Sequence, residues 1–319
     1  MGEFATVERA GPMSLVQDLG RTGQRHLGVS SGGSLDRHAA GWANRLLRNS
    51  PRDALLEVAM GSFALRFSHA TTFALAGAEC NWRLDGRPVA NWAAHRADRG
   101  SLLEAEVARS GVRSYVALGG GILTEPVWGS RATTVGERIG GIDGRPLKSG
   151  DRLPYEPEAE TLLAGAPREY IRQYGGQISL RLVPSNQFGL FASAHQQTLL
   201  AQTYRVSPHS DRMGVRLSGA PMTGVPGNLV SEAVAPGAVQ VPSDGQPIVL
   251  MADCQTIGGY PKIGHVYSVD LDLLAQARPG DTVTFSIGTL DAAQEALRQQ
   301  RAFFEGPVDN GVEPAGAGE

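Results

Sequence analysis

Hydrophobic and polar positions alternate over short stretches of this chain, and helical periodicity is scarce. Apolar runs bounded by Gly, Pro or Asp predict strands at 72–76, 112–118, 178–183, 247–251, 265–269 and 282–287. Apolar residues at helical spacing predict helices at 36–48, 191–203 and from 290 onward. Short strands without regular strand–helix alternation favour barrels or sandwiches over parallel α/β sheets.

Two segments share a pattern that indicates an internal repeat. VSSGGSLDR at 29–37 is similar to VSPHSDR at 206–212, and 21 positions separate Asp36 from Glu57 as well as Asp211 from Glu232. A glycine turn and two strands follow each Glu. We therefore predict a mainly β chain with a few helices (α+β), made of two barrel units that arose by duplication.

The repeat and the local composition divide the chain. Residues 154–169 contain three prolines and several Glu, which is typical of a linker. The predicted parts are a first β-barrel-like unit at 1–155, a second at 170–290, a C-terminal helix at 291–305 and a disordered tail at 306–319.

Composition excludes several classes of protein. The net charge of −3 over 319 residues gives no electrostatic footprint for nucleic acid. No apolar run approaches the ~18 residues of a membrane span, and two cysteines exclude a disulfide framework, so we expect a cytoplasmic protein. The seven His show no ligand spacing, which predicts no metal site, and no lysine lies between two methionines, so no covalent biotin is expected on this chain.

A serine motif near the N-terminus matches a hydrolase pattern only in part. Residues 28–32 read G-x-S-x-G, but the strand–turn–helix context of a nucleophile elbow is missing around Ser30. No lysine precedes Lys148, so the Ser-Ser-Lys chemistry of amidase-signature enzymes is also disfavoured. We interpret 30–34 as a polar glycine turn that enters a helix, and leave open whether it binds an anion.

The densest group of polar residues lies between 207 and 262. Lys262 is one of two lysines in a chain with 27 arginines, and it follows the run Gly-Gly-Tyr-Pro. We expect a sharp turn there whose glycine N–H groups face an oxyanion or phosphate.

The sequence resembles the allophanate hydrolase subunit 2 family, also called the 5-oxoprolinase C-subunit or biotin-dependent carboxyltransferase family. The motifs that carry the resemblance are VQDLGRTGQRHLGV at 16–29, GSLD at 33–36, LE at 56–57, LAGA at 75–78, 118–121 with GSR at 129–131, SDRMG at 210–214 and QTIGGYPKI at 255–263. Two positions depart from the family pattern: Ser30, where proline is usual, and Ala233, where glycine is common.

The resemblance implies a cyclophilin-like β-barrel architecture and a role as one subunit of an enzyme complex. The implied partners are a B-type (subunit 1) protein and a third, lactam-utilisation subunit. The implied reaction is the ATP-dependent opening of 5-oxo-L-proline to L-glutamate, by a chain that is inactive alone. ATP would be bound by this chain or together with the partner. One alternative is the carboxyltransferase component of a biotin-dependent urea carboxylase, and another is a regulatory protein that antagonises a kinase inhibitor.

Either enzyme would act on a small amide-like substrate and would need a cation and oriented donors for developing negative charge. Four residues are predicted to be catalytic: Lys262, Tyr260, Asp253 and Arg212. The predicted substrate- or nucleotide-binding residues are Gly258, Gly259, Gln255, Thr256, Asp211, Glu232, Asp36 and Glu57.

Overall fold

A computed structural model describes residues 3–156, 164–222, 224, 227, 229–307 and 313–314. The strands in chain order are β1 Phe4–Arg9, β2 Met13–Gln17, β3 Leu55–Ala59, β4 Gly61–Phe67, β5 Thr71–Glu79, β6 Trp82–Leu84, β7 Arg87–Pro88, β8 Ala93–Ala97, β9 Leu102–Val107, β10 Ser110–Leu118, β11 Arg152–Pro154, β12 Ala164–Gly165, β13 Gln177–Pro184, β14 Tyr204–Val206, β15 Gly214–Ser218, β16 Glu232–Ala233, β17 Ala238–Gln240, β18 Ile248–Leu250, β19 Ile257–Gly258, β20 Lys262–Val266, β21 Thr282–Ile287 and β22 Glu313–Pro314. The α-helices are α1 Arg37–Leu46, α2 Ser193–Ala201, α3 Leu271–Leu274 and α4 Leu290–Glu305, and short 3-10 helices lie at Arg25–Leu27, Val135–Glu137, Arg168–Tyr170 and Phe188–Leu190. The prediction of a mainly β chain with a few helices is confirmed.

The chain forms two compact units, and their boundaries are not continuous in sequence. Unit 1 contains the chain up to Arg21, Gly32–Tyr174 and the chain from Ala302 on. Unit 2 contains Thr22–Ser31 and Gly175–Arg301. The segment 22–31, which the sequence placed within the first unit, therefore belongs to the second. Seven of the sixteen predicted linker residues, at 157–163, and ten of the fourteen predicted tail residues, at 308–312 and 315–319, lie outside the described residues.

Unit 1 consists of two antiparallel sheets around an apolar core. One sheet has the order β11-β1-β4-β9-β6-β7, and the other has the order β2-β3-β10-β5-β8-β12-β22. Large side chains such as Phe63, Phe67 and Trp82 are buried in one cluster. Helix α1 begins after Asp36, whose carboxylate accepts a hydrogen bond from the Ala39 amide, and it buries Trp42 in a second cluster.

Unit 2 contains a closed barrel of seven strands in the order β13-β20-β17-β18-β15-β14-β21. Along β13, Ile178, Leu180 and Leu182 are buried while the residues between them are more exposed, which is the alternation that a barrel wall requires. Strand β20 begins at Lys262 and ends at Val266, so it starts three residues before the predicted strand at 265–269. The chain turns after Val266 because Asp270 and the residues after it lead into α3.

The predicted correspondence between the two halves does not extend to local structure. Asp36 precedes a helix, whereas Asp211 holds a turn before strand β15. Glu57 lies in β3, which has neighbours on both sides, whereas Glu232 lies in the two-residue strand β16. The shared 21-residue spacing therefore joins residues in unlike elements.

Candidate functional site

The site is built around a lysine–glutamate pair in unit 2. Nζ of Lys262 lies 2.9 Å from Oε1 of Glu232 and donates a 3.1 Å hydrogen bond to the carbonyl of Ala233. The lysine side chain is only 7% exposed, whereas the glutamate side chain is 37% exposed. The cation is thus buried behind a carboxylate that reaches solvent.

Gln187 fixes both members of this pair, and sequence reasoning did not single it out. Its Oε1 accepts a 2.7 Å hydrogen bond from the Lys262 amide, and its Nε2 donates to Oε1 of Glu232. Both contacts on Glu232 fall on Oε1, and within the described part of the chain Oε2 has no hydrogen-bond partner. No motif in the run around Gln187 signals this role.

A cleft of about 460 Å³ opens beside the pair. This volume suits a small organic molecule. Its lining residues come from the 3-10 helix at 25–27 and from strands β16 and β19 with their flanks: Arg25, His26, Gly28, Ser231, Glu232, Ala233, Val234, Thr256 and Ile257. Glu232 and Ala233, the two partners of the Lys262 ammonium, therefore form part of the cleft wall.

Arg25 is a second residue that sequence reasoning missed. Its Nη2 donates hydrogen bonds of 2.7 Å to the carbonyl of Val234 and 2.9 Å to the carbonyl of Gln255. It thus connects two chain segments that line the cleft. The residue stands inside the family motif at 16–29, but only its contacts more than 200 positions away reveal a role.

Arg212 and Asp253 form an ion pair with each other and do not line the cleft. Nε and Nη2 of Arg212 donate hydrogen bonds of 2.8 and 3.0 Å to the two carboxylate oxygens of Asp253, and both side chains are nearly buried. A bidentate pair of this kind uses the charge of each partner. Like Lys262, neither residue is among those that line the cleft, and here each charge is compensated by the other.

The remaining predicted residues of unit 2 divide between cleft lining and structural roles. Thr256 lines the cleft, and Gln255 contributes its carbonyl to Arg25. Asp211 closes a turn by accepting from the amides of Met213 and Gly214. Tyr260 is 53% exposed and is not among the residues that line the cleft.

The two glycines do not form the sharp turn that the sequence suggested. Gly258 pairs with Glu232 in the small sheet of β16 and β19, and neither Gly258 nor Gly259 has a positive φ. Gly258 is closely packed, because a Cβ there would lie 2.8 Å from Nε2 of the buried Gln240, so this side chain would have to shift. The glycine thus lets β19 approach the barrel strand β17.

Asp36 and Glu57 belong to unit 1, where they are held in one buried network. The hydroxyl of Tyr115 donates to Glu57 and accepts from the Asp36 amide, each at 2.8 Å. Burial, together with the charges of Glu57 and Asp36, raises the pKa of Tyr115. These contacts give both acids a structural role in unit 1.

Ser30 does not have the surroundings of a nucleophile. Its hydroxyl donates a 3.1 Å hydrogen bond to the carbonyl of Cys254, and no helix begins directly after it. Burial raises the pKa of the Cys254 thiol, against the opposing influence of Arg25. Both side chains therefore support the chain next to the cleft and are poor candidates for covalent chemistry.

His265 is the titratable neighbour of the Lys262–Glu232 pair. Burial, and then the positive charge of Lys262, lower its pKa, whereas the charge of Glu232 acts in the opposite direction. In the described part of the chain, no group of three or more His, Cys, Asp or Glu could hold a metal ion. No helix in that part is both long and apolar enough to cross a membrane.

Comparison with known proteins identifies the family to which this chain belongs. Residues 27–287 match the family described as the carboxyltransferase domain, subdomains A and B. The chain belongs to this carboxyltransferase-domain family, and the family resemblance inferred from the motifs is confirmed.

Individual relatives narrow the class further. The chain is 38% identical to the C subunit of 5-oxoprolinase from Escherichia coli over 93% of its own length and 95% of that protein. It superposes on the crystal structure of Kluyveromyces lactis urea carboxylase with a TM-score of 0.87 and 25% identity, over 98% of this chain and 31% of that one. Another crystal structure, 35% identical, gives a TM-score of 0.79 over 89% of this chain, which spans 56% of that longer chain.

Proposed function

We propose that this chain is the C subunit of an ATP-dependent 5-oxoprolinase, which opens 5-oxo-L-proline to L-glutamate. The observation that carries the proposal is the 38% identity to the C subunit of a bacterial 5-oxoprolinase over nearly the whole of both chains. The cleft beside Lys262 and Glu232 is the proposed substrate site.

The geometry of the cleft supports a role on a small lactam. Lys262 and Gln187 both contact Oε1 of Glu232, and Oε2 has no hydrogen-bond partner among the described residues, so Oε2 is the acceptor available for the lactam N–H. An ammonium has three donors, and two of those on Lys262 are engaged by Glu232 and Ala233. Lys262 is not among the residues that line the cleft, so its charge would act from behind Glu232 and Ala233 on the negative charge that develops on the lactam oxygen.

ATP and the partner proteins complete the proposal. ATP supplies the phosphorus electrophile that activates the lactam, bound by this chain or jointly with a B-type (subunit 1) protein. The same proposed complex includes a third, lactam-utilisation subunit. We therefore expect the isolated chain to have almost no 5-oxoprolinase activity.

The test is co-expression with the B-type protein and the third subunit, followed by an assay of ADP release that depends on 5-oxoproline. Turnover by the complex with little or none by the isolated chain supports the proposal. Efficient turnover by the isolated chain, or none by any combination of the three subunits, contradicts it.

Carboxyl transfer is the second candidate, and the superposition on urea carboxylase favours it. In that case the same cleft would hold urea and the N1 atom of carboxybiotin carried by another protein. The discriminating measurement is urea-dependent loss of the carboxyl group from carboxybiotin, with 5-oxoproline as the alternative acceptor.

A further inference from the structure

Three cations of unit 2, Arg25, Arg212 and Lys262, differ in how their charges are compensated. Arg212 is paired with Asp253, and Lys262 is paired with Glu232. Within the described residues, no carboxylate lies within 4 Å of the Arg25 guanidinium, although Arg25 lines the cleft. A half-buried guanidinium without a carboxylate is a ready receptor for an anionic ligand.

The donors of Arg25 differ in whether a protein acceptor engages them. A guanidinium carries five N–H donors. Nη2 is committed to the carbonyls of Val234 and Gln255, whereas the contact from Nη1 to the Ser31 hydroxyl is 3.5 Å long and therefore weak. Nε has no protein acceptor among the described residues. The two carbonyls thus hold the plane of the guanidinium and leave the Nε and Nη1 donors for a ligand.

We propose that Arg25 is the residue that binds the carboxylate of the substrate and so selects a carboxylate-bearing lactam over a neutral amide. This inference rests on the proposed function, and it deepens that function by naming the residue that recognises the substrate carboxylate. In 5-oxo-L-proline the carboxylate is attached to the carbon next to the ring nitrogen. A ligand whose N–H faces Glu232 therefore directs its carboxylate to a neighbouring group of the same cleft, where Arg25 lies.

The alternative role for Arg25 is purely structural, as a connection between the Val234 and Gln255 segments. The two roles differ in what happens to a substrate that lacks the carboxylate. A structural connection supports every ligand of the cleft equally. A carboxylate receptor matters for 5-oxo-L-proline and not for 2-pyrrolidinone, which is the same lactam ring without the carboxylate.

The experiment compares these two compounds in the reconstituted complex, with the wild-type chain, Arg25→Gln, Arg25→Lys and Ser31→Ala. Gln retains an N–H donor without the charge, Lys retains the charge without the fork of donors, and Ser31→Ala removes only the weak Nη1 contact. We expect Arg25→Gln to raise KM for 5-oxo-L-proline about 10- to 100-fold, the range of a lost hydrogen bond to a charged group, and Arg25→Lys to raise it less. The KM for 2-pyrrolidinone should stay within about 2-fold of wild type, and Ser31→Ala should leave both constants unchanged.

An equal loss for both compounds in Arg25→Gln would overturn the inference, because it indicates a structural role. If the wild-type complex does not turn over 5-oxo-L-proline at all, the proposed function fails, and Arg25 is then tested by calorimetric binding of the same two compounds. Binding of 5-oxo-L-proline that is lost in Arg25→Gln still supports the inference. Equal binding of both compounds to both chains, or no binding to the wild type, overturns it.

Discussion

Nζ of Lys262 lies 2.9 Å from Oε1 of Glu232, and the lysine is the more buried of the two residues. This arrangement places a fixed positive charge behind a carboxylate that faces the cleft. Removing either charge leaves the other without its partner in a partly desolvated environment, which lowers the free energy of unfolding. The pair should therefore contribute to the stability of the site, and its part in the proposed chemistry is open to test by substitution.

We expect Lys262→Ala to lower the turnover of the reconstituted complex by about 10²-fold or more, because the cation that stabilises developing negative charge is lost. Lys262→Arg should restore only part of the activity, since a planar guanidinium does not fit the place of a buried ammonium. Lys148→Ala is the matched control, because the other lysine of the chain is exposed and lies in unit 1. Wild-type turnover in a well-folded Lys262→Ala complex would rule out the role.

The Arg212–Asp253 pair should act on stability. Arg212→Ala leaves the buried carboxylate of Asp253 without its bidentate partner, so we expect the free energy of unfolding of unit 2 to fall by about 3–5 kcal/mol. The double variant Arg212→Ala/Asp253→Ala should lose less than the sum of the two single variants, because it leaves no unpaired charge. Hydrogen exchange of the barrel amides measures the effect. Additive losses would show that the two residues do not act as a pair.

Gly258 and Gly259 provide a comparison of two adjacent positions. Gly258→Ala would place a Cβ 2.8 Å from Nε2 of the buried Gln240, and it should destabilise unit 2 by about 1–3 kcal/mol and displace Glu232, its strand partner. Gly259→Ala would place a Cβ 3.2 Å from the hydroxyl of the exposed Ser231 and 3.8 Å, an ordinary contact distance, from the carbonyl of Leu229. We therefore expect Gly259→Ala to melt and turn over like wild type. Similar losses in both variants would show that the contact with Gln240 is not the cause.

Unit 1 should lose stability in acid through His38. Burial, and then the charge of Arg172, lower the pKa of His38 to about 4, while Asp36 acts in the opposite direction. The unfolded chain binds a proton near pH 6.5 and the folded chain only near pH 4, so stability is full above pH 6.5 and falls between these values. The expected loss is about 2–3 kcal/mol.

Tryptophan fluorescence follows this loss, because the four tryptophans all lie in unit 1: Trp42, Trp82, Trp92 and Trp128. His38→Gln keeps a donor for the carbonyl of Tyr170, which lies 2.8 Å from Nε2, but cannot titrate. Its unfolding should depend less on pH between 6.5 and 4. His26→Gln is the control variant, because His26 is exposed and lies in unit 2, so its loss should not change the pH dependence of unit 1. An unchanged pH dependence in His38→Gln would contradict the assignment.

Patterns that are local in sequence predicted the elements well. The helix capped by Asp36, the strand at 282–287 and the helix from 290 onward all form where periodicity indicated, because the alternation of apolar residues follows the geometry of a single element. The same local view predicted a turn at Gly258-Gly259. It was wrong there because Gly258 pairs with Glu232, a residue of another strand.

The sequence by itself determined the mainly β class and the family. It also indicated Lys262 as a candidate site residue, because it is a rare lysine beside a distinctive motif. Tertiary structure alone decided which charges are compensated. Arg212 is occupied by Asp253, 41 positions away, and Arg25 reaches Val234 and Gln255, 209 and 230 positions away. Charge compensation depends on side chains within about 4 Å of each other in space, and the closure of the barrel, not spacing along the chain, sets those distances.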